Sequence, residues 1–263
     1  MTTLALTVRD SVTMFRRDLR HQRRYPSVTG ILIGMPVVFL LLFVYILGDT
    51  LGTGLGGPSG GRGAYIQYVV PGILLITVAA VTTGTAISVA TDMTEGIIAR
   101  FRSMAISRAA VLVGHVLGAT AQSLLSLTVV TGVALAIGFR PTTGPLQWAG
   151  AFGVLAMIAV ALAWMGVAMG TVAKSVETAS NTPMLFLFLP FLGSGFVPTS
   201  SLPAGVAWFA EYQPFTPFIE TIRGLLLGTP MGNSAALTVA WCTAISLGGY
   251  LWARSAYDRQ SVR

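Results

Sequence analysis

Long apolar stretches separated by short polar segments dominate the pattern of hydrophobic and polar positions along this chain. Six stretches contain no Asp, Glu, Lys or Arg: Tyr25 to Gly48, Gly63 to Thr91, Ala109 to Phe139, Pro141 to Ala173, Thr178 to Ala210 and Gly224 to Ala253. Each exceeds the roughly 20 apolar residues that a bilayer-spanning helix requires. Buried strands would need runs of only about four to eight residues. The pattern therefore predicts transmembrane helices.

The predicted fold is an all-α integral membrane protein in which residues 1–263 form one transmembrane domain. The six spans are placed at 28–48, 67–91, 109–138, 147–173, 178–197 and 232–253. Because each apolar stretch is longer than a span needs, tilt and interfacial ends are expected. The first stretch is expected to remain as a span, because arginines precede it and no small-residue cleavage site follows it.

Glycines four residues apart recur within the predicted spans. The pairs are Gly30 and Gly34, Gly114 and Gly118, and Gly166 and Gly170. This spacing lets neighbouring helices approach closely in lipid. We expect these pairs to pack within the bundle.

The segment 1–25, before the first span, carries an apolar stripe in a basic background. Val8, Val12, Phe15 and Leu19 follow a helical spacing, and arginines occupy much of the remaining surface. The pattern predicts an amphipathic helix in the membrane interface, where each arginine near anionic lipid contributes about 1 kcal/mol. Such a helix either anchors the topology alone or also acts as a lever on a cytoplasmic partner.

The segment 92–108, between the second and third predicted spans, is the most charged internal segment of the chain. The apolar residues on one helical face are Ile97, Phe101 and Met104. The charged residues that point elsewhere are Glu95, Arg100 and Arg102. A solvated loop does not need an apolar face, so the pattern predicts a short helix. That helix would lie on the membrane surface or dock into a groove on a partner.

Prolines interrupt the apolar sequence before the last predicted span. They are Pro183, Pro190, Pro198, Pro203, Pro214 and Pro217. Because proline removes an amide donor and breaks a helix, 193–224 is not expected to be one span. Non-helical backbone at membrane depth is tolerated only when protein or a water-filled cavity surrounds it. We therefore predict a re-entrant helical hairpin over 198–224, on the outer side.

Charged residues and prolines of this hairpin are candidates for gating or substrate exit. They are Glu211, Pro214, Pro217, Glu220 and Arg223. Glu220 and Arg223 are three residues apart, a spacing that brings two side chains together on a helix. The alternative to a gating role is an internal salt bridge or a contact with lipid headgroups.

The composition of the chain excludes a soluble protein. Hydrophobic residues make up 54% of the chain and charged residues 10%, with a mean hydropathy of +0.75, whereas a soluble domain is about one quarter charged. The only cysteine, Cys242, excludes a disulfide framework. Two histidines far apart in the sequence leave little for a metal site, so none is expected.

Basic residues are distributed unevenly between the two sides of the predicted bundle. With the amino terminus inside, all but three of the 16 Lys and Arg residues lie in cytoplasmic segments, and the exceptions are Arg62, Arg140 and Arg223. Because cytoplasmic loops carry an excess of Lys and Arg, both termini are predicted to be cytoplasmic. The preference for arginine over lysine is typical of a GC-rich bacterial genome, so we expect the bacterial plasma membrane.

The chain contains no sequence signature of an energy source of its own. The phosphate-binding pattern GxxxxGK[ST] is absent, because the single lysine, Lys174, lacks the preceding glycines. An ion-coupled transporter usually keeps an ionisable group inside a span. The predicted spans offer only His115, near the cytoplasmic surface, where a structural role is expected. We predict no catalytic residue and no cofactor bound by this chain, and an external energy source.

Two blocks of sequence carry a specific resemblance. The first comprises Asp92-Met93, Glu95-Gly96-Ile97-Ile98 and Arg100-Phe101-Arg102-Ser103-Met104. The second comprises Gly195-Phe196-Val197-Pro198, Ser201-Leu202-Pro203, Pro214-Phe215-Thr216-Pro217 and Arg223-Gly224-Leu225-Leu226. Both blocks, in this spacing, resemble ABC-2 type transporter permeases, most closely the daunorubicin/doxorubicin-resistance subgroup. Ala105 and Gln213 depart from the proline and asparagine common in that family.

The resemblance implies a transmembrane subunit of an ATP-binding cassette exporter. Segment 92–108 would be the coupling helix, which contacts a separate ATPase subunit that binds ATP and Mg. The residues expected at this contact are Glu95, Ile97, Arg100, Phe101, Arg102 and Met104. Two ATPase copies would join a pair of permeases, with a homodimer expected; membrane lipids are further partners and nucleic acid is not.

The cargo expected from this resemblance is a hydrophobic drug or a lipid-like metabolite, which suits walls without fixed charge. Drug efflux and antibiotic resistance would follow from such an activity. Three alternatives stay open: export of a lipid-linked glycan or cell-envelope lipid, ion-coupled secondary multidrug transport, and a membrane subunit that anchors an ATPase without transporting.

Overall fold

The computed structural model describes residues 11–17, 20, 26–56, 61–95 and 108–260, and every regular element within these ranges is helical. The all-α prediction is confirmed for this part of the chain. The helices are α1 (residues 11–17), α2 (Pro26–Leu42), α3 (Gly48–Gly56), α4 (Arg62–Thr94), α5 (Arg108–Ala136), α6 (Pro145–Val172), α7 (Val176–Asn181), α8 (Met184–Phe188), α9 (Ala204–Tyr212), α10 (Phe215–Leu227) and α11 (Ser234–Gln260). A π-helical turn, Phe43–Leu47, joins α2 to α3, and a 3₁₀ turn, Thr199–Ser201, precedes α9.

Five helical segments among the described residues are long and apolar enough to cross a bilayer. They are Thr29–Thr53, Arg62–Thr94, Ala110–Ala136, Pro145–Val172 and Ser234–Tyr257. Each overlaps one predicted span and exceeds the roughly 20 residues that a crossing requires. The first combines α2, the π-helical turn and most of α3.

The predicted span at 178–197 is wrong as a single helix. α7 ends at Asn181, α8 covers only Met184–Phe188, and residues 189–196 form successive turns. Pro183 and Pro190 explain the interruptions, because proline has no amide hydrogen and its ring clashes with the carbonyl four residues earlier. The described chain therefore has five long helices and one broken apolar segment, 176–197.

The broken segment nevertheless advances along α4. Just before it, Gly170 lies against Ala86, since a Cβ on Gly170 would be 2.5 Å from the Ala86 carbonyl oxygen. Near its end, Gly195 lies against Gly72, since a Cβ on Gly72 would be 2.9 Å from the carbonyl oxygen of Gly195. The helix between Gly72 and Ala86 rises about 21 Å at 1.5 Å per residue. Residues 170–195 therefore cover about that distance along the bundle axis.

α4 is the central helix and the most deeply buried of the five. It packs against α2, α3, α5, α6, α7 and α10. Gly166 brings α6 close to it, since a Cβ there would be 2.7 Å from the Thr82 carbonyl oxygen. The predicted packing role is confirmed for Gly166 and Gly170. It is wrong for Gly30 and Gly34, because their Cβ positions meet open space.

Aromatic side chains hold the broken segment against the first long helix. Phe191 stacks on Phe196 with ring centroids 4.4 Å apart, and Phe43 lies 4.6 Å from Phe196. Phe39 meets Phe191 edge-on at 6.0 Å. Such pairs contribute about 0.5–1.5 kcal/mol each beyond the area they bury. They stabilise a stretch that lacks the continuous hydrogen-bond ladder of a helix.

Candidate functional site

The ion pairs of the described residues lie at opposite ends of the bundle. The α4–α5 end contains the last turn of α4 and the first turns of α5. The α5–α6 end contains the turn between α5 and α6, and the carboxyl end of α10 lies against it. The predicted coupling segment, 92–108, begins at the first of these ends, and the predicted hairpin, 198–224, lies at the second.

The amino-terminal helix α1 packs onto the α4–α5 end. Ser11 and Met14 are buried, and Met14 lies so close to Gly114 that any larger residue at 114 would displace it. Val12 is 41% exposed on the other side of α1. One face of α1 therefore contacts the bundle, while Val12 faces away from it. The interfacial location of this helix stays a prediction.

Arg17 of α1 forms a bidentate ion pair with Asp92, at the end of α4. Its Nη2 and Nη1 atoms donate to Oδ1 and Oδ2 of Asp92 at 2.8 and 2.9 Å. Asp92 is only 6% exposed. Two parallel charge-assisted hydrogen bonds are stronger and more directional than neutral ones. The interaction stabilises the charge of a buried carboxylate.

His115, in the second turn of α5, lies beside the same carboxylate. Its Nε2 is 3.2 Å from Oδ2 of Asp92, an ion-pair distance, although the geometry is not that of a good hydrogen bond. His115 is 7% exposed, and it lines a small cavity together with Met14, Arg17 and Val111. The structural role predicted for His115 agrees with this position. Asp92 thus joins α1, α4 and α5.

The segment predicted as a hairpin consists of two helices joined by a tight turn at Gln213–Pro214. α10 is largely buried through one apolar face, whose largest residues are Phe215, Phe218, Ile219 and Ile222. α9 is exposed, with Trp208 and Tyr212 each about two-thirds accessible. Glu211 is also exposed. Entry of this pair into the membrane stays a prediction.

Arg223 of α10 is held by backbone carbonyl groups. Its Nη2 donates to the carbonyl oxygens of Ser194 and Tyr68, at 2.7 and 3.2 Å. Its guanidinium carbon lies 4.0 Å from the centroid of the Tyr68 ring, in cation–π geometry. Glu220 instead accepts a hydrogen bond from Ser234 at 2.7 Å. The salt bridge considered between Glu220 and Arg223 is therefore not formed, because each side chain has a different partner.

Gln213 supports the same irregular backbone from the turn between α9 and α10. Its Nε2 donates to the carbonyl oxygen of Leu189 at 3.0 Å. Thr216 donates to the carbonyl oxygen of Ala210 at 2.5 Å, which closes the turn. Arg223 therefore gives the Ser194 carbonyl group a charged donor, and Gln213 gives the Leu189 carbonyl group a second donor beside the Leu192 amide.

Two threonines connect the turn after α5 to the end of α10. The Thr142 hydroxyl donates to the Leu227 carbonyl oxygen at 2.9 Å, and the Thr143 hydroxyl donates to that of Leu225 at 2.7 Å. The last carbonyl groups of a helix have no intrahelical donors. These hydroxyl groups satisfy two of them, and α10 ends at Gly228 in a left-handed conformation.

Comparison with known proteins identifies the family. Residues 10–227 match the family of ABC-2 type transporters. The chain belongs to this family. The match includes the whole of α1 to α10.

Related ABC-2 proteins are permeases of drug-resistance transporters. The chain is 28% identical over 226 residues to the daunorubicin resistance ABC transporter permease protein DrrB1 of Streptomyces coeruleorubidus, covering 86% of this chain and 77% of that protein. It is 24% identical over 229 residues to the probable doxorubicin resistance ABC transporter permease protein DrrC of Mycobacterium tuberculosis, covering 86% and 79%. It is 26% identical over 213 residues to that organism's DrrB, covering 80% and 72%.

The coupling residues predicted for this ABC-2 protein lie mostly outside the described residues. Glu95 is exposed at the end of α4, where its amide donates to the Thr91 carbonyl oxygen at 2.9 Å. The predicted contacts outside the described part are Ile97, Arg100, Phe101, Arg102 and Met104. The coupling helix stays a prediction. Among the described residues, no three His, Cys, Asp or Glu side chains are grouped so that they could hold a metal ion.

Three polar residues make contacts that the sequence does not predict. The sequence places Arg17 among the arginines near lipid, Asp92 in the first block that carries the resemblance, and Gln213 as a departure from the family pattern. The only available signal for Asp92 was its place at the end of a long apolar stretch, with His115 as the only ionisable residue in the next stretch. Their pairing could not be read from spacing.

Proposed function

We propose that this chain is the transmembrane permease subunit of an ATP-binding cassette exporter that moves a hydrophobic drug or lipid-like metabolite out of the cytoplasm. Membership of the ABC-2 family over residues 10–227 carries the proposal. The relatives named for daunorubicin and doxorubicin resistance support a drug as cargo. Energy would come from ATP and Mg bound by a separate ATPase subunit.

Because the carboxylates of Asp49, Asp92 and Glu220 have partners, they favour external ATP over an ion gradient as the energy source for transport. An ion-coupled transporter usually needs an ionisable group at membrane depth that can bind and release the ion. Asp92 pairs with Arg17, Asp49 with Arg62, and Glu220 accepts from Ser234. Within the described long helices, the structure therefore offers no buried carboxylate without a partner.

We propose six membrane crossings with both termini in the cytoplasm. Five would be the long helices, and the sixth would be the broken segment 176–197. Its support is the advance of about 21 Å along α4, which is most of a hydrocarbon core about 30 Å thick. Contacts from Gln213 and Arg223 meet the requirement that non-helical backbone at this depth be satisfied by protein.

The α4–α5 end would then be cytoplasmic and would carry the ATPase contact. In the sequence, segment 96–107 links α4 to α5, the helices that Asp92 and His115 connect. α9 and α10 would lie near the outer surface, where exposed Trp208 and Tyr212 suit the membrane interface. Two permease copies with two ATPase copies would form the complete transporter.

Reconstitution of the permease with its cognate ATPase tests the proposal. Inside-out vesicles should accumulate daunorubicin, followed by its fluorescence, only when both subunits and ATP are present. An ATPase whose hydrolytic site is inactivated is the matched control. Uptake driven by a proton or sodium gradient without the ATPase would contradict the proposal. ATP-dependent movement of a glycolipid, with no movement of daunorubicin, would contradict the assigned cargo.

A further inference from the structure

Asp92 is the point at which three separate elements of the fold meet. Arg17 reaches it from α1, and His115 lies beside it on α5, while Asp92 itself occupies the last turn of α4. We call Arg17, Asp92 and His115 the latch. Because Asp92 is almost fully buried, its charge depends on these neighbours for stabilisation.

The latch lies at the ends of α4 and α5, through which any movement of the coupling segment is transmitted to the other helices. Asp92 lies less than one helical turn before Glu95, which is the last described residue before segment 96–107. On the other side of that segment, α5 begins at Arg108. The contact between Asp92 and His115 therefore ties together the two helices that flank segment 96–107. Arg17 adds α1 to the same unit.

Arg17 differs from its neighbours on α1 in the direction that it faces. Arg16 and Arg20 are exposed, as lipid-anchoring arginines would be. Arg17 is instead turned toward the bundle, where the packing of Met14 against Gly114 holds the same face of α1. A topology anchor alone would not require a bidentate contact with a buried carboxylate on another helix.

We propose that the latch makes α1 and the adjoining ends of α4 and α5 move as one body when the ATPase acts on the coupling segment. Arg17 and Asp92 are thus positioning residues for energy coupling, and the inference rests on the proposed function. Without the latch, the coupling segment would move while α1 stayed behind. ATP would then be hydrolysed with less cargo moved per ATP.

The test compares Arg17→Gln and Asp92→Asn with Arg16→Gln in the reconstituted permease–ATPase complex. Arg16→Gln removes the same charge from an exposed position of the same helix. The readouts are ATPase co-purification, the rate of ATP hydrolysis and the daunorubicin transported per ATP. Arg17→Gln and Asp92→Asn should lower transport per ATP at least fivefold while retaining the bound ATPase. Arg16→Gln should leave the ratio within twofold of wild type.

Two further results distinguish a coupling role from simple support of the fold. The Arg17→Gln/Asp92→Asn double variant should be no worse than the more impaired single variant, because both substitutions remove the same Arg17–Asp92 ion pair. Arg17→Lys, which retains the charge but only one donor group, should recover part of the transport per ATP. Additive losses in the double variant, or equal losses in Arg17→Gln and Arg16→Gln, would overturn the latch.

A measurement on the wild-type complex does not depend on variant folding. Amide hydrogen exchange at residues 11–17 should be slow in both the resting and the nucleotide-trapped complex, since α1 stays fixed to the bundle. Exchange as fast as that of an unprotected helix end in either state would contradict the latch. Absence of ATP-dependent transport in wild type contradicts the proposed function, whereas transport per ATP that survives Arg17→Gln contradicts only the latch.

Discussion

Individual polar side chains in this apolar bundle are stabilised by backbone groups or by a charge of opposite sign. Threonine hydroxyl groups in α4 donate hydrogen bonds to the backbone carbonyl oxygen one turn earlier. Thr77 donates to Ile73, and Thr85 donates to Val81. Asp92 has Arg17, and Arg223 has two carbonyl groups. A membrane interior supplies no water to replace these partners. Removing one of these partners should therefore lower the free energy of unfolding more here than at an exposed site.

Replacement of Arg223 tests this expectation. Arg223→Met should lower the free energy of unfolding by about 3 kcal/mol, because two carbonyl groups lose a charged donor. Denaturant unfolding in detergent micelles measures it. The matched control is Arg62→Met, which breaks the exposed pair with Asp49 and should cost less than about 1 kcal/mol. Equal losses in the two variants would contradict the role assigned to Arg223.

Glycines on α6 provide a second test at the scale of single residues. A Cβ on Gly170 would be 2.5 Å from the Ala86 carbonyl oxygen, whereas nothing lies within 4 Å of one on Gly153. Gly170→Ala should therefore destabilise the bundle by about 1–3 kcal/mol through overpacking. Gly153→Ala should stabilise it by up to about 1 kcal/mol through helix propensity. Thermal unfolding of both variants measures these changes. A change in stability of the same sign in both variants would disprove the close α4–α6 contact.

At the scale of elements, the broken segment 176–197 is the least regular part of the fold. Proline prevents a continuous helix, yet the segment remains packed on α4 because glycine at 195 permits backbone contact with Gly72. Aromatic stacking among Phe43, Phe191 and Phe196 adds side-chain packing. Irregular backbone is thus retained where α10 and the aromatic cluster cover it.

If segment 176–197 crosses the membrane, the residues that flank it lie on opposite sides of the membrane. In vesicles of defined orientation on a Cys242→Ala background, Lys174→Cys should react only with a cytoplasmic thiol reagent, and Glu211→Cys only with an external one. Both positions are exposed in the structure. Gln147→Cys, in the first turn of α6, is the control and should react from the outside. Labelling of positions 174 and 211 from the same side would contradict a sixth crossing.

At the scale of the whole molecule, the outer helices leave large apolar faces uncovered. α2 exposes Ile31 and Met35, and α11 exposes Leu247 and Leu251. In a bilayer such faces meet lipid or another copy of the permease. By contrast, the ion pairs of the described residues lie at the two ends of the bundle. This distribution suits a subunit that connects an energy source on one side to an exit on the other.

A further prediction concerns the contact between the permease and the ATPase subunit in the complete transporter. Phe101→Ala or Arg102→Ala should reduce co-purification of the ATPase subunit several-fold, because an apolar anchor or a charged contact is lost from the docking helix. Affinity purification through a tag on the permease measures it. Arg140→Ala, in the turn between α5 and α6, is the control and should leave the recovery unchanged. Normal recovery from both coupling variants would remove the assignment of 92–108.

The sequence by itself determined the helical membrane character and the places of five long helices. Both follow from local composition, since a bilayer leaves an apolar chain no water for its backbone hydrogen bonds and so requires helices. It also located the proline-rich region in which regular helices fail, because proline acts through its own ring and missing donor. The break inside 178–197 was nevertheless underestimated, because its total apolar length alone satisfied the span criterion.

Only the tertiary structure decided which polar groups meet. Arg17 and Asp92 are 75 residues apart, and Arg223 and Tyr68 are 155 apart. Helical periodicity specifies the face on which a side chain lies, but not the neighbouring helix that this face meets. The Glu220–Arg223 spacing favoured a local salt bridge, and packing of α10 gave each residue a different partner. Such contacts depend on how whole helices pack and align, which no local pattern records.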